Sequence, residues 1–139
     1  MSTLTDALKQ DHVALVESLG KVKALGISTL EGRHTLLSVK SALLAHLARE
    51  DEQLYPVLRE AAGNDRALMT KLEVFARDME LVTSEAVRFF EKYADGGSGI
   101  AFASDYGHLH AVLAARIRKE ETNLYPEYER IRVSYQDSR

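Results

Sequence analysis

Apolar residues recur in steps of three and four through four stretches of this chain, a pattern that only long amphipathic helices satisfy. The first stretch carries Leu4, Leu8, Leu15, Leu19 and Val22, with Thr3 or Thr5 placed to cap its start. The second runs Leu36, Val39, Leu43, His46, Glu50, Gln53, Val57, and the third Leu68, Leu72, Phe75, Met79, Val82, Ala86, Phe89, Tyr93. The fourth runs Phe102, Tyr106, Leu109, Leu113, Arg116, Glu120, Asn123. Breakers separate them: Gly26 with Ser28 and Thr29, then Gly63-Asn64-Asp65, then Gly96-Gly97-Ser98-Gly99. Helices are predicted near residues 4 to 25, 31 to 62, 65 to 94 and 101 to 132. Short connections make successive helices antiparallel, so the expected fold is all-α, an up-down-up-down four-helix bundle forming one domain over residues 1–139.

Composition excludes several function classes. A net charge of −3 provides no basic surface for nucleic acid or an anionic membrane. No apolar run is long enough to span a bilayer, and the N-terminal residues lack a secretory pattern, so a cytoplasmic setting is the default expectation. With no cysteine, any metal must be held by His, carboxylate or Tyr, a donor set suited to iron, manganese or zinc. There is no Ser-His-Asp order, phosphate loop or nucleophile motif, and no catalytic residue is assigned.

The second and fourth stretches share a segment. His46-Leu-Ala-Arg-Glu50-Asp-Glu-Gln-Leu54-Tyr55-Pro56 returns as Arg116-Ile-Arg-Lys-Glu120-Glu-Thr-Asn-Leu124-Tyr125-Pro126. The glutamate is kept, and an arginine stands where the histidine was. Residues i and i+4 share a helix face, so His46 and Glu50 can reach one ion, whereas Arg116 and Glu120 neutralise each other. Each proline lacks the N–H that would bond the carbonyl of Glu52 or Thr122, so a kink or bulge is expected beside Glu50 and Glu120. Polar residues on core-facing stripes are costly unless paired or metal-bound. His12, His46, Glu50, Arg116 and Glu120 should therefore meet in the interior, with Glu50 opposite Glu120.

These residues resemble the hemerythrin-like (HHE) cation-binding domain, over nearly the whole chain: a histidine early in helix one, His-x-x-x-Glu with Leu-Tyr-Pro in helix two, and x-x-x-Glu with Leu-Tyr-Pro in helix four. Members hold a non-haem di-iron centre in a four-helix bundle and bind or sense oxygen, or serve redox, iron or nitric oxide responses. The resemblance implies metal ligands at His12, His46, Glu50 and Glu120. The helix-three histidine is replaced by Met79, with Glu80 and Thr83 nearby, and the helix-four histidine by Arg116. A guanidinium does not ligate, and a thioether suits softer metals, so at most one ion per chain is expected.

Three readings follow. One is a metal-binding protein with a mononuclear site for iron or another divalent ion, acting in oxygen or redox sensing or in metal handling with a small diatomic ligand. Another is a metal-free descendant in which Arg116 bridges Glu50 and Glu120, with a regulatory or interaction role toward an unspecified partner. The last is an enzyme using the remaining metal for redox chemistry. Tyr55 and Tyr125 are expected to pack at the bundle end with wet hydroxyls, and Leu72, Phe75, Met79 and Val82 to form one dry layer. His34, His108 and His110 are read as surface or structural residues.

Overall fold

The computed structural model describes residues 3–97 and 99–137, so Met1, Ser2, Ser98, Ser138 and Arg139 of the expected domain lie outside the described residues. Its elements are α1 (Thr3–Leu25), α2 (Leu30–Arg49), a first π turn (Glu50–Leu54), α3 (Tyr55–Ala62), α4 (Arg66–Lys92), α5 (Gly99–Lys119), a second π turn (Glu120–Leu124) and α6 (Tyr125–Asp137). Each π turn joins its flanking helices end to end, leaving four long rods in a hemerythrin-like four-helix bundle. Among the described residues there is no strand, and no helix is long and apolar enough to cross a membrane.

Local chemistry sets the ends of these rods. Thr29 caps α2 by accepting the Gly32 N–H, and Asp65 caps α4 by accepting the Leu68 N–H. Gly26 turns the chain out of α1 with a φ of 72°, and a side chain at Gly32 would put its Cβ 1.6 Å from the Gly26 carbonyl oxygen. Thr5 is not a cap: it is buried within α1 and its hydroxyl donates to Glu129 on α6. Thr3 lies inside the helix as well.

Both prolines produce the expected bulge. The Tyr55 N–H bonds the Glu50 carbonyl and the Tyr125 N–H bonds the Glu120 carbonyl, each one residue further back than in an α-helix. The additional residue shifts the inward face. Gln53, Val57 and Asn123, expected on the core stripe, are exposed, and Leu54, Tyr55, Leu58, Leu124 and Tyr125 are buried in their place.

The apolar core is divided. A larger cluster includes Leu15, Leu19, Val22, Leu36, Val39, Val82, Phe89 and Leu109, and a smaller one includes Leu8, Leu54, Leu58, Leu72, Phe75 and Leu124. The expected dry layer of helix three does not exist as a unit, because Leu72 and Phe75 fall in one cluster, Val82 in the other, and Met79 is only half-buried. Buried polar groups lie at the same level of the bundle.

Candidate metal centre

His12 from α1, His46 from α2, Glu50 from the first π turn, Arg116 from α5 and Glu120 from the second π turn are all buried. Burial of five ionisable side chains in one small domain requires mutual pairing. His12, His46 and Glu120 each offer a donor atom, and these atoms lie within 4.8 Å of one another. Oε1 of Glu120 is 2.9 Å from His12 Nε2 and 3.9 Å from His46 Nε2. Glu50 stands beside the group, its Oε2 3.6 Å from His46 Nε2.

The far side of each imidazole is fixed by a carboxylate that the stripes did not flag. His12 Nδ1 donates to Glu121 at 2.6 Å, and His46 Nδ1 donates to Asp11 at 3.0 Å. Each bond sets the tautomer and turns Nε2 toward Glu120, the arrangement in which imidazoles serve metals. An Nε2 lone pair and a carboxylate oxygen, both acceptors, cannot remain 2.9 Å apart unless a proton or a metal ion lies between them. Nε2 of His46 and Oε1 of Glu50 are buried without a hydrogen-bond partner. Such orphans are rare in satisfied interiors and fit a bound cation. One visible signal existed: Asp11 and Glu121 directly adjoin His12 and Glu120 in sequence.

Electrostatics divide the two glutamates. Burial first, and the charge of Glu120 second, raise the Glu50 pKa from 4.5 to about 8. Burial opposes ionisation of Glu120 too, but His12, His46 and Arg116 overcome it and hold that carboxyl well below the usual range. For His46, burial alone would lower the pKa, yet the Glu120 and Glu50 carboxylates and the Asp11 hydrogen bond raise it from 6.5 to about 9. At 3.9 Å the Glu120 contribution is ion pairing rather than a hydrogen bond.

Arg116 closes the opposite half. Its Nε donates to Glu120 Oε2 at 3.3 Å, one terminal nitrogen to the Phe75 carbonyl and to Asp78, and the other to the Tyr55 hydroxyl at 3.0 Å. The guanidinium carbon lies 4.7 Å from the Phe75 ring centroid. These bonds correct the expected bridge, since Arg116 pairs with Glu120 and not with Glu50. A carboxylate on the second π turn follows Arg116 by one helical turn, whereas Glu50 is reached by Tyr125 instead. The Tyr125 hydroxyl donates to Glu50 Oε2 at 2.8 Å and lies 3.2 Å from His12 Nε2 and 3.4 Å from Glu120 Oε1. Neither tyrosine hydroxyl is wet, as the sequence had suggested; the π turns rotate both into the polar layer. Burial, then the Glu120 and Glu50 charges, push ionisation of Tyr125 far above its usual range, and burial does the same for Tyr55 against the pull of Arg116.

On the side facing the larger cluster, a cavity of about 40 Å³ is bounded by Leu15, Leu43, Val82, Thr83, Leu113 and Met79, with His12, His46, Arg116 and Glu120 at its floor. Met79 packs there beside Thr83, while Glu80 is exposed. His34, His108 and His110 are exposed, His108 pairing with Glu85 and His110 stacking 6.1 Å from Tyr106.

The bundle, the buried histidines and carboxylates and the paired Leu-Tyr-Pro turns define a helical cation-binding class. The hemerythrin HHE cation-binding domain model matches residues 3–128, and the chain belongs to this family. No curated protein and no solved structure matches. The residues present fit a cation on one side, where two imidazole nitrogens and a carboxylate oxygen converge, and the other side holds a guanidinium with no free lone pair.

Proposed function

We propose that this protein holds one mononuclear non-haem iron, or another divalent ion, through His12, His46 and Glu120 with Glu50 alongside, and serves oxygen or redox sensing or metal handling in the cytoplasm. The observation that carries the reading is the convergence of two carboxylate-oriented imidazoles and one carboxylate in a buried group. Two histidines and one carboxylate are the donor set of mononuclear non-haem iron sites that keep open positions. A bound ion would supply Lewis acidity and electron transfer to a small ligand.

The protein's own residues do the rest. Asp11 and Glu121 orient the imidazoles, and Leu15, Leu43 and Val82 exclude water from the adjoining cavity, whose size suits a diatomic molecule. Glu50, with its raised pKa, keeps a proton within the layer while accepting the Tyr125 hydroxyl. Arg116 supplies a permanent positive charge to Glu120 where a second ion would otherwise be needed.

The Arg116–Glu120 pair also favours a second reading, a metal-free regulatory or interaction protein. That reading leaves the unpartnered His46 Nε2 and Glu50 Oε1 without a role. Metal analysis of protein purified without chelator, and again after iron loading, separates the two. One ion per chain, lost in H46A, is expected. No bound metal, or two irons with a bridged di-iron spectrum, would overturn the proposal.

A further inference from the structure

The Tyr125 hydroxyl lies against the donor group, within hydrogen-bond distance of both His12 and Glu120. It is 1% exposed, held inward by the second π turn, and its ring lies parallel to His12 within 12° at a centroid distance of 5.7 Å. The Tyr125 oxygen thus adjoins two of the three grouped donors, His12 Nε2 and Glu120 Oε1, with His46 Nε2 the third. Four of the six separations among these atoms are 2.9, 3.2, 3.4 and 3.9 Å. Donors about 2.0–2.1 Å from a tetrahedral ion sit roughly 3.3 Å apart, and these four distances lie on either side of that spacing. Tyr55, the counterpart in the first repeat, is not available for such a role because its oxygen accepts from Arg116.

Resting on the mononuclear reading above, we infer that Tyr125 is a ligand of the bound ion, giving two nitrogens and two oxygens, with a ferric ion the oxidation state that a phenolate best suits. On binding, the Tyr125 O–H bond breaks and its proton is displaced to solvent, together with any proton held on His12 Nε2 or His46 Nε2. The freed oxygen lone pair forms the bond to the ion. Each donor atom that gives up a proton takes the ion in its place, and no electron is transferred. Burial and the two carboxylates oppose this ionisation in the metal-free protein, and a cation placed among them reverses the balance.

The test is the spectrum of protein loaded with ferric iron. Wild type is expected to show a visible phenolate-to-iron charge-transfer band with resonance-enhanced tyrosine ring modes. Y125F should bind one iron per chain and lose the band, while Y55F keeps it. If Y125F does not fold, ring-deuterated tyrosine in Y55F reports the same modes. Iron bound at one per chain without the band, or a band that survives in Y125F, overturns the role of Tyr125 alone. Absence of bound iron from wild type overturns the mononuclear reading and this inference with it.

Discussion

Two halves of one polar layer, built on the same local plan, end in different chemistry. In the first, Asp11 of α1 bonds His46 of α2; in the second, Asp78 of α4 bonds Arg116 of α5. Each half has a glutamate on a π turn, and each turn sends a tyrosine hydroxyl across the layer: Tyr125 to Glu50, Tyr55 to Arg116. Only the central cation differs in kind. His12 and His46 carry protons that an exchangeable ion can displace, and Arg116 fills the matching space with a charge that never leaves. The supporting carboxylates and tyrosines therefore belong to the layer itself, and the halves differ in the side chains they support, His12 and His46 in one and Met79 and Arg116 in the other.

The largest expected effect comes from emptying the fixed half. R116A strips Glu120, Asp78 and the Tyr55 hydroxyl of a shared partner inside the bundle, and should destabilise the metal-free protein by about 3 to 5 kcal/mol in chemical denaturation. Added zinc should recover part of that loss, because an ion bound only by the folded state shifts the equilibrium toward it. A loss below about 1 kcal/mol, as for a surface pair, would show that the halves are not balanced by charge.

Converting the fixed half tests the comparison directly. M79H combined with R116H replaces the two divergent residues by imidazoles and should raise iron capacity above that of wild type, read as metal per chain. Unchanged capacity in a folded double variant would mean that the second half lacks more than its ligands.

The supporting aspartates sharpen the contrast at smaller scale. D11N should weaken metal binding by about 10- to 100-fold, since it removes the partner that orients His46. D78N, whose substituted carboxylate pairs with Arg116 and Lys119, should leave affinity within about threefold of wild type. Equal losses in the two variants would show that the halves act as one.

Smallest is the response to pH. His46 and Glu50 have folded pKa values above their unfolded ones, so the stability they provide is complete below about 6.5 and 4.5 and falls as pH climbs through about 9 and 8. Glu120 has the opposite shift and loses its contribution as pH falls below the carboxylate range. The metal-free protein should therefore melt a few degrees lower near pH 9 than near pH 6, and metal affinity should rise over the same interval as protons leave His46. A metal-free melting temperature that rises toward pH 9 would contradict these assignments.

Much of this was legible before any coordinates. The threes-and-fours spacing located the rods to within a few residues, and Pro56 and Pro126 announced the bulges. The inward placement of His12, His46, Glu50 and Glu120 followed from stripe position, and the structure buries all four. Stripe arithmetic failed beyond each bulge, because a π turn adds one residue and so Gln53, Val57 and Asn123 rotate outward. The same rotation hid the tyrosine hydroxyls. Asp11, Asp78 and Glu121 escaped notice because they flank the stripe rather than lie on it, and only three-dimensional packing reveals which neighbour a half-buried carboxylate reaches. The partner of Arg116 was half foreseen: Glu120 lies one turn along its own helix, but the choice of Tyr55 and Asp78 over Glu50 depended on how the rods meet.

The division of the apolar core also bears on kinetics. A hydrated cation does not cross a cavity walled by leucine and valine, so an ion bound for His12 and His46 needs another way in. The smaller cluster around Leu54, Leu58 and Leu124 closes the other side, where transient separation of α3 from α6 would admit water to the polar layer while the larger cluster stays closed. Amide hydrogen exchange across those two helices should then keep time with metal uptake, and the bundle end, rather than the ligands, would set how fast the protein answers a change in metal supply.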